Sequence, residues 1–169
     1  IPDVFAKAAA VLYAWHPGTM TGPALADLLF GLESPSGKLP ITFPKTEGQI
    51  PVYYAHKNTG RPPTGRKLTL IDDIPPRARQ SSLGDAARYL DIGYEPLYPF
   101  GYGLSDTSFR YANLKVAADR VRRSDTLRVQ VHLPNTGPRA ADEIAQLYVR
   151  DLVASLTRPV KELKGFSRV

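Results

Sequence analysis

The chain has 169 residues, of which 43% are hydrophobic and 22% charged, and this composition excludes extensive disorder. It contains no cysteine, which excludes disulfides, thiolate metal sites and a cysteine nucleophile. The formal net charge is +6, but Lys and Arg are scattered along the chain, which favours a mildly basic solvated surface over a nucleic-acid partner.

The first 31 residues predict one unit of an α/β layer. Residues 3–8 are typical of the last turns of a helix, and the continuous apolar run 9–15 predicts a strand buried on both faces. A second helix is expected to begin at Pro23 and to end before Gly31. The loop between strand and helix lies where open α/β sheets usually bind ligands.

The sequence contains neither a membrane span nor a signal peptide that can be recognised. The longest apolar run, residues 8–15, is far shorter than the roughly 20 residues of a membrane span. The chain begins at Ile1 and resembles no signal peptide, so we expect it to start inside a larger protein.

Residues 33–67 contain six prolines, which forbid a regular helix and break any strand into short pieces. The segment "IPVYY" within it is too apolar for a disordered region, so we expect an ordered excursion packed on the domain. A more polar stretch follows, with loop composition around Ser81 and Gly84.

The last third of the chain has the pattern of antiparallel strands. From Leu127 to Leu133 apolar residues alternate with polar ones, residues 134–138 predict a turn, and residues 143–149 a second strand. One or two further strands fit within residues 158–169. These are fewer than the about seven strands of a complete immunoglobulin-like sandwich, so an incomplete one is expected.

Residues 96–105, "PLYPFGYGLS", here called the aromatic–glycine segment, precede this β region. Glycines permit close backbone approach or positive φ, and aromatic rings bury large areas at low entropic cost. The segment therefore predicts a rigid clamp in place of a flexible linker.

Five motifs in order carry a family resemblance that extends over essentially the whole chain. The sequence closely resembles the carboxyl-terminal part of glycoside hydrolase family 3 enzymes, notably bacterial β-glucosidases of the periplasmic type. The motifs are "AWHPGTMTGPALADLLFG", "PSGKLPITFP", "GQIPVYYAHKNTGRP", "YLDIGYEPLYPFGYGLS" and "ASLTRPVKELKGF". One departure is Asp106, where the family usually has an aromatic residue.

The resemblance implies an α/β plus all-β fold: the terminal portion of an α/β sandwich domain in residues 1–105, followed in residues 106–169 by the start of a truncated fibronectin type III-like domain. The complete enzymes of the family begin with a barrel and hydrolyse β-linked glycosides with retention, without a cofactor. The resemblance also implies a periplasmic or extracellular location and a glycoside substrate that reaches this chain through the missing barrel.

Retaining glycosidases need two carboxyl groups about 5–5.5 Å apart. The resemblance places both upstream of Ile1, so the chain alone is expected to be inactive. The acidic residues that are present have structural interpretations: Asp27 on the polar side of a helix, Asp72 and Asp73 in a loop, and Glu143 at the start of a strand.

The candidate substrate-binding residues fall into two groups. Trp15 and His16 follow the predicted buried strand, where an aromatic face suits a sugar ring, although Trp15 could instead fill the core. His56, Asn58 and Arg61 lie on the proline-rich excursion and could reach the cleft or hydrogen-bond to another domain. No metal site is expected, because the three histidines are far apart and His132 lies on the outer face of a strand.

A second hypothesis is a standalone carbohydrate-binding or protein-interaction module without activity. It requires exposed aromatic residues on one face of the sandwich, and after Tyr111 only Tyr148 offers such a strand surface.

Overall fold

The computed structural model describes residues 2–63, 68–79 and 85–169. The predicted loop around Ser81 and Gly84 lies outside these residues. The described part contains two α-helices, two short 3-10 helices and four strands. Their bounds are α1 Pro2–Lys7, α2 Thr21–Leu29, 3-10 turns Glu47–Gln49 and Ile71–Asp73, β1 Ala112–Val116, β2 Val129–His132, β3 Ile144–Val149 and β4 Glu162–Arg168.

Both predicted helices are present. Helix α1 matches the expected turns, and α2 begins two residues before Pro23. Its end is a Schellman motif: the Gly31 amide donates to the Leu28 carbonyl at 3.3 Å, and the Leu32 amide donates to the Asp27 carbonyl at 2.8 Å. Gly31 has φ +73°, the left-handed conformation that this motif requires.

The strand predicted for residues 9–15 is wrong, because these residues form no strand. Val11, Leu12 and Tyr13 are 41–48% exposed. A strand buried on both faces needs neighbouring strands and covering helices. Among the described residues, strands pair only within β1–β2 and β3–β4, so the run has no such neighbours. Trp15, at φ 53°, also interrupts its extended backbone.

The part of the proline-rich excursion that the structure describes, residues 33–63, packs on other segments of the chain, as predicted. Residues 39–43 lie beside residues 97–102, and five backbone hydrogen bonds of 2.7–3.3 Å join them. Leu39 bonds to Gly101 and Tyr102, and Phe43 bonds to Leu97 and, in both directions, to Tyr98. Phe43 is only 5% exposed and is the one buried aromatic side chain among the described residues. Its ring meets Phe5 and Tyr13 edge-on, with centroids 6.1 Å and 5.4 Å apart.

Gln49 is the most deeply buried polar side chain described, at 1% exposure. Its Oε1 accepts a hydrogen bond from the Lys45 amide at 2.7 Å, and its Nε2 donates to the Glu95 carbonyl at 3.0 Å. Both ends of the amide are therefore satisfied, as burial requires.

The strands predicted in the last third of the chain are present as β2, β3 and β4, whereas β1, Ala112–Val116, lies where no strand was predicted. Strands β1 and β2 pair antiparallel, with Ala112 opposite His132 and Val116 opposite Val129, and the register shifts between Ala112 and Lys115. Strands β3 and β4 form the second sheet. Reciprocal backbone hydrogen bonds of 2.9 Å and 3.0 Å between Glu143 and Val169 extend this pairing beyond the strand ends. His132 is exposed, as expected.

The chain divides into two compact units. Unit 1 comprises residues 1–13, 38–102 and 146–166, and unit 2 comprises residues 14–37, 103–145 and 167–169.

Candidate functional site

The aromatic–glycine segment contributes a ring cluster to unit 1. Tyr98 and Tyr102 stack with centroids 4.9 Å apart, and Phe5 meets Tyr98 edge-on at 5.1 Å. Gly101, at φ +80°, lies against strand β3, where its carbonyl accepts a hydrogen bond from Gln146 Nε2 at 3.0 Å. Ring stacking and a side-chain hydrogen bond thus hold residues 98–102, and the rigidity of the segment stays a prediction.

Three of the five predicted binding residues, His56, Asn58 and Arg61, lie in unit 1. The His56 and Asn58 side chains are exposed, and His56 Nδ1 lies 3.0 Å from the Lys57 carbonyl oxygen. Arg61 forms an ion pair with Asp85, and its carbonyl accepts a hydrogen bond from the Ala87 amide at 2.8 Å. The Arg61 guanidinium is therefore already engaged by a carboxylate.

The other two, Trp15 and His16, lie in unit 2. Both are exposed, Trp15 by 45%, so Trp15 does not fill a core. No single unit contains all five predicted residues, and their role in sugar binding stays a prediction.

Tyr54 is a residue that the sequence analysis missed. Its ring stacks on Phe100 with centroids 4.2 Å apart and an interplanar angle of 18°, and meets Tyr148 edge-on at 5.9 Å. Its hydroxyl accepts a hydrogen bond from the Leu163 amide at 3.3 Å. The motif contains two adjacent tyrosines, and only the fold distinguishes half-buried Tyr54 from exposed Tyr53.

The prediction that only Tyr148 offers an exposed aromatic surface on a strand after Tyr111 is wrong, because Phe166 in β4 is 72% exposed. Tyr148 itself does not form the open aromatic platform that a carbohydrate-binding module requires. The ring is half-buried beside Tyr54, its hydroxyl donates to Gln146 Oε1, and Lys161 Nζ lies 5.1 Å from its centroid. Burial, followed by the Coulombic effect of Tyr54, raises the pKa of Tyr148. Both the ring and the hydroxyl of Tyr148 therefore contact other side chains of unit 1.

Asp106, the departure from the family pattern, lies in a small polar cluster in unit 2. Its carboxylate is 3.7 Å from an Arg139 guanidinium nitrogen, and its amide donates to Ser34 Oγ at 3.0 Å. The same guanidinium donates to the Gly31 carbonyl at the end of α2. An ion pair therefore occupies the position where the family usually has an aromatic ring.

Glu143 is the one buried carboxylate among the described residues, with 8% exposure. Its Oε1 accepts a hydrogen bond from the Tyr111 hydroxyl at 3.0 Å. Desolvation, this hydrogen bond and the Coulombic effect of Glu143 raise the pKa of Tyr111 from 10.0 to about 12. The carboxylate is thus committed to a structural contact, in agreement with its structural interpretation from the sequence.

This pair predicts a loss of stability in alkali. The pKa of Tyr111 is higher in the folded than in the unfolded chain, so its contribution is complete below about pH 10 and is lost as the pH rises toward about 12. We expect Tyr111→Phe to melt at a temperature that falls less between pH 9 and pH 12 than that of the unsubstituted chain. Circular dichroism melts measure this difference. Tyr53→Phe, at an exposed position, is the control, and equal slopes for all three proteins would contradict the prediction.

Residues that could hold a metal are not clustered in the described ranges: no group of three or more His, Cys, Asp or Glu side chains has a suitable arrangement. None of the described helices is long and apolar enough to cross a membrane.

Comparison with known families gives two matches along the chain. The model of the glycosyl hydrolase family 3 C-terminal domain matches residues 2–106, and that of the fibronectin type III-like domain matches residues 143–169. The fold class predicted from the sequence, an α/β part followed by a fibronectin type III-like part, is confirmed by these matches.

The sequence is also similar to curated proteins. It is 44% identical over 163 residues to a periplasmic β-glucosidase of Salmonella typhimurium, which covers 96% of this chain and 20% of that protein. It is 34% identical over 169 residues to a putative β-xylosidase of Formosa agariphila, covering 100% of this chain and 19% of that protein. The chain therefore spans about a fifth of the length of these relatives.

A solved structure has the same fold over nearly the whole chain. The crystal structure of a β-glucosidase from Listeria innocua in complex with glucose superimposes with a TM-score of 0.79 at 40% identity, covering 99% of this chain and 21% of that one.

Proposed function

Because this chain belongs to glycosyl hydrolase family 3, we propose that it is the scaffold portion of a retaining β-glucosidase-like enzyme whose catalytic carboxylates lie on other parts of the polypeptide. The supporting observation is its 44% identity over 96% of its length to one fifth of a periplasmic β-glucosidase. Within the described residues, the carboxylate of Glu143 is buried and accepts a hydrogen bond from the Tyr111 hydroxyl, which supports a structural role for it.

The proposed scaffold consists of two domains that follow one another along the chain. Residues 1–105 complete the α/β sandwich domain, and residues 106–169 begin the fibronectin type III-like domain. The family matches at residues 2–106 and 143–169 support this division. We further propose that Trp15, His16, His56, Asn58 and Arg61 border the sugar cleft of the complete enzyme.

The proposed substrate is a β-linked glucoside or a closely related glycoside. The Listeria innocua structure contains glucose, and one relative is named a putative β-xylosidase. The proposed class of substrates therefore includes β-glucosides and β-xylosides. The name of the Salmonella typhimurium relative supports a periplasmic or extracellular location.

The first test is an activity assay on the isolated chain. Since neither catalytic carboxylate is expected in residues 1–169, we expect no release of nitrophenol from a nitrophenyl β-glucoside above the rate in buffer. Turnover that disappears when a residue of this chain is substituted would overturn the proposal. Binding of oligosaccharides by the isolated chain, without turnover, would favour the carbohydrate-binding module instead.

A further inference from the structure

The segment that contains His56 and Asn58 is fastened to the residues that lead into strand β4. The Val160 amide donates to the His56 carbonyl at 2.9 Å, and Lys57 forms an antiparallel bridge with Pro159. Both contacts are made by backbone atoms, so they fix the path of the segment while leaving the His56 and Asn58 side chains exposed.

Tyr54 supplies the side-chain part of this attachment, two residues before His56. Its ring lies on Phe100, in the aromatic–glycine segment, and its edge contact is with Tyr148 in β3. Its hydroxyl accepts a hydrogen bond from the Leu163 amide in β4. One side chain therefore connects the excursion to three other segments of unit 1.

We propose that Tyr54 is a positioning residue, which holds His56 and Asn58 in the orientation in which they contact the glycoside. This inference rests on the proposed function, because it takes these two side chains as sugar contacts. Tyr54 lies two residues before His56 and four before Asn58, so loss of its contacts would let both side chains move away from the glycoside and weaken its binding.

The first arm of the test uses the 169-residue chain itself. Tyr54→Phe keeps the ring and removes the hydroxyl that accepts a hydrogen bond from the Leu163 amide. We expect this amide to exchange with deuterium about two- to tenfold faster, because that factor corresponds to the net free energy of one ordinary hydrogen bond. The Val160 amide should accelerate in the same direction, while the amides of Glu143 and Val169 in unit 2 should not change. Tyr53→Phe is the matched control. Unchanged exchange at both Leu163 and Val160 would overturn the positioning role.

The second arm measures kinetics in a chimera in which residues 1–169 replace the matching fifth of the Salmonella typhimurium relative. We expect Tyr54→Phe to raise KM for a nitrophenyl β-glucoside about two- to tenfold with kcat nearly unchanged, because the affected contacts bind ground state and transition state alike. When Asn58→Ala and His56→Ala are already present, Tyr54→Phe should raise KM little further, because Tyr54 acts through these two residues.

The outcomes separate the two proposals. Faster exchange with unchanged KM would show that Tyr54 fastens a segment that does not contact the sugar, and would overturn this inference alone. A folded chimera of the unsubstituted chain that lacks activity would overturn the proposed function, while the exchange arm would still decide whether Tyr54 holds the segment.

Discussion

Replacing Phe43 with alanine is expected to destabilise unit 1 by about 3–5 kcal/mol, the usual cost of truncating a buried phenylalanine. Phe43 is 5% exposed, and its ring contacts Phe5 and Tyr13. No other aromatic side chain in the described residues is buried, so no buried ring is available to move in and fill the cavity. Such a loss is a large fraction of the about 5–15 kcal/mol that stabilises a typical domain.

Urea unfolding followed by circular dichroism measures this change. The matched control is Phe166→Ala, which removes the same side chain at a position that is 72% exposed and should alter the unfolding free energy by no more than about 0.5 kcal/mol. Equal shifts for the two variants would contradict the identification of Phe43 as the core residue of unit 1.

Gly101→Ala is expected to destabilise unit 1 by roughly 2–5 kcal/mol, the sum of a backbone cost and a contact cost. The left-handed backbone at φ +80° costs an alanine about 1–2 kcal/mol. The added Cβ would overlap Gln146 Oε1 and lie 2.6 Å from the Tyr148 hydroxyl, and overpacking of this kind adds about 1–3 kcal/mol. Moving Gln146 aside would break its hydrogen bond to the Gly101 carbonyl.

Gly18→Ala is the matched control for this substitution. Gly18 has a similar φ of +77°, but no atom lies within 4 Å of its added Cβ. Its cost should therefore be only the backbone term of about 1–2 kcal/mol. If thermal melts gave the two alanine variants the same stability, the close contact between the aromatic–glycine segment and β3 would be disproved.

Local signals in the sequence predicted the parts of the fold that depend on local chemistry. The Gly31 stop of α2 and the prolines of the excursion each act within a few residues, and the structure agrees with both. The alternation in residues 127–133 correctly predicted a strand, but β2 covers only Val129–His132, and the alternating burial is absent because Val131 is 40% exposed. The strand predicted for residues 9–15 is absent because an apolar run becomes a buried strand only where neighbouring strands complete the sheet. The partner strands that would complete such a sheet are not among the described residues.

The candidate site was predicted less completely, because its supports are long-range contacts. Tyr54 reaches Leu163 across 109 positions of the sequence, and no short-range pattern distinguishes it from Tyr53. Likewise, the pairing of Asp106 with Arg139 joins residues 33 positions apart (139 minus 106) and could not be read from the departure at Asp106 itself. His56, Asn58 and Arg61 were selected as polar residues on the proline-rich excursion, and their contact with a sugar stays a prediction.

The most direct test of the central claim is the catalytic rate of the chimera with the Salmonella typhimurium relative. If residues 1–169 are the scaffold of a family 3 β-glucosidase, the purified chimera should hydrolyse a nitrophenyl β-glucoside with kcat/KM within about tenfold of the parent enzyme, or about 1.4 kcal/mol in transition-state stabilisation. A soluble, cooperatively melting chimera whose rate does not exceed the buffer background would contradict the claim.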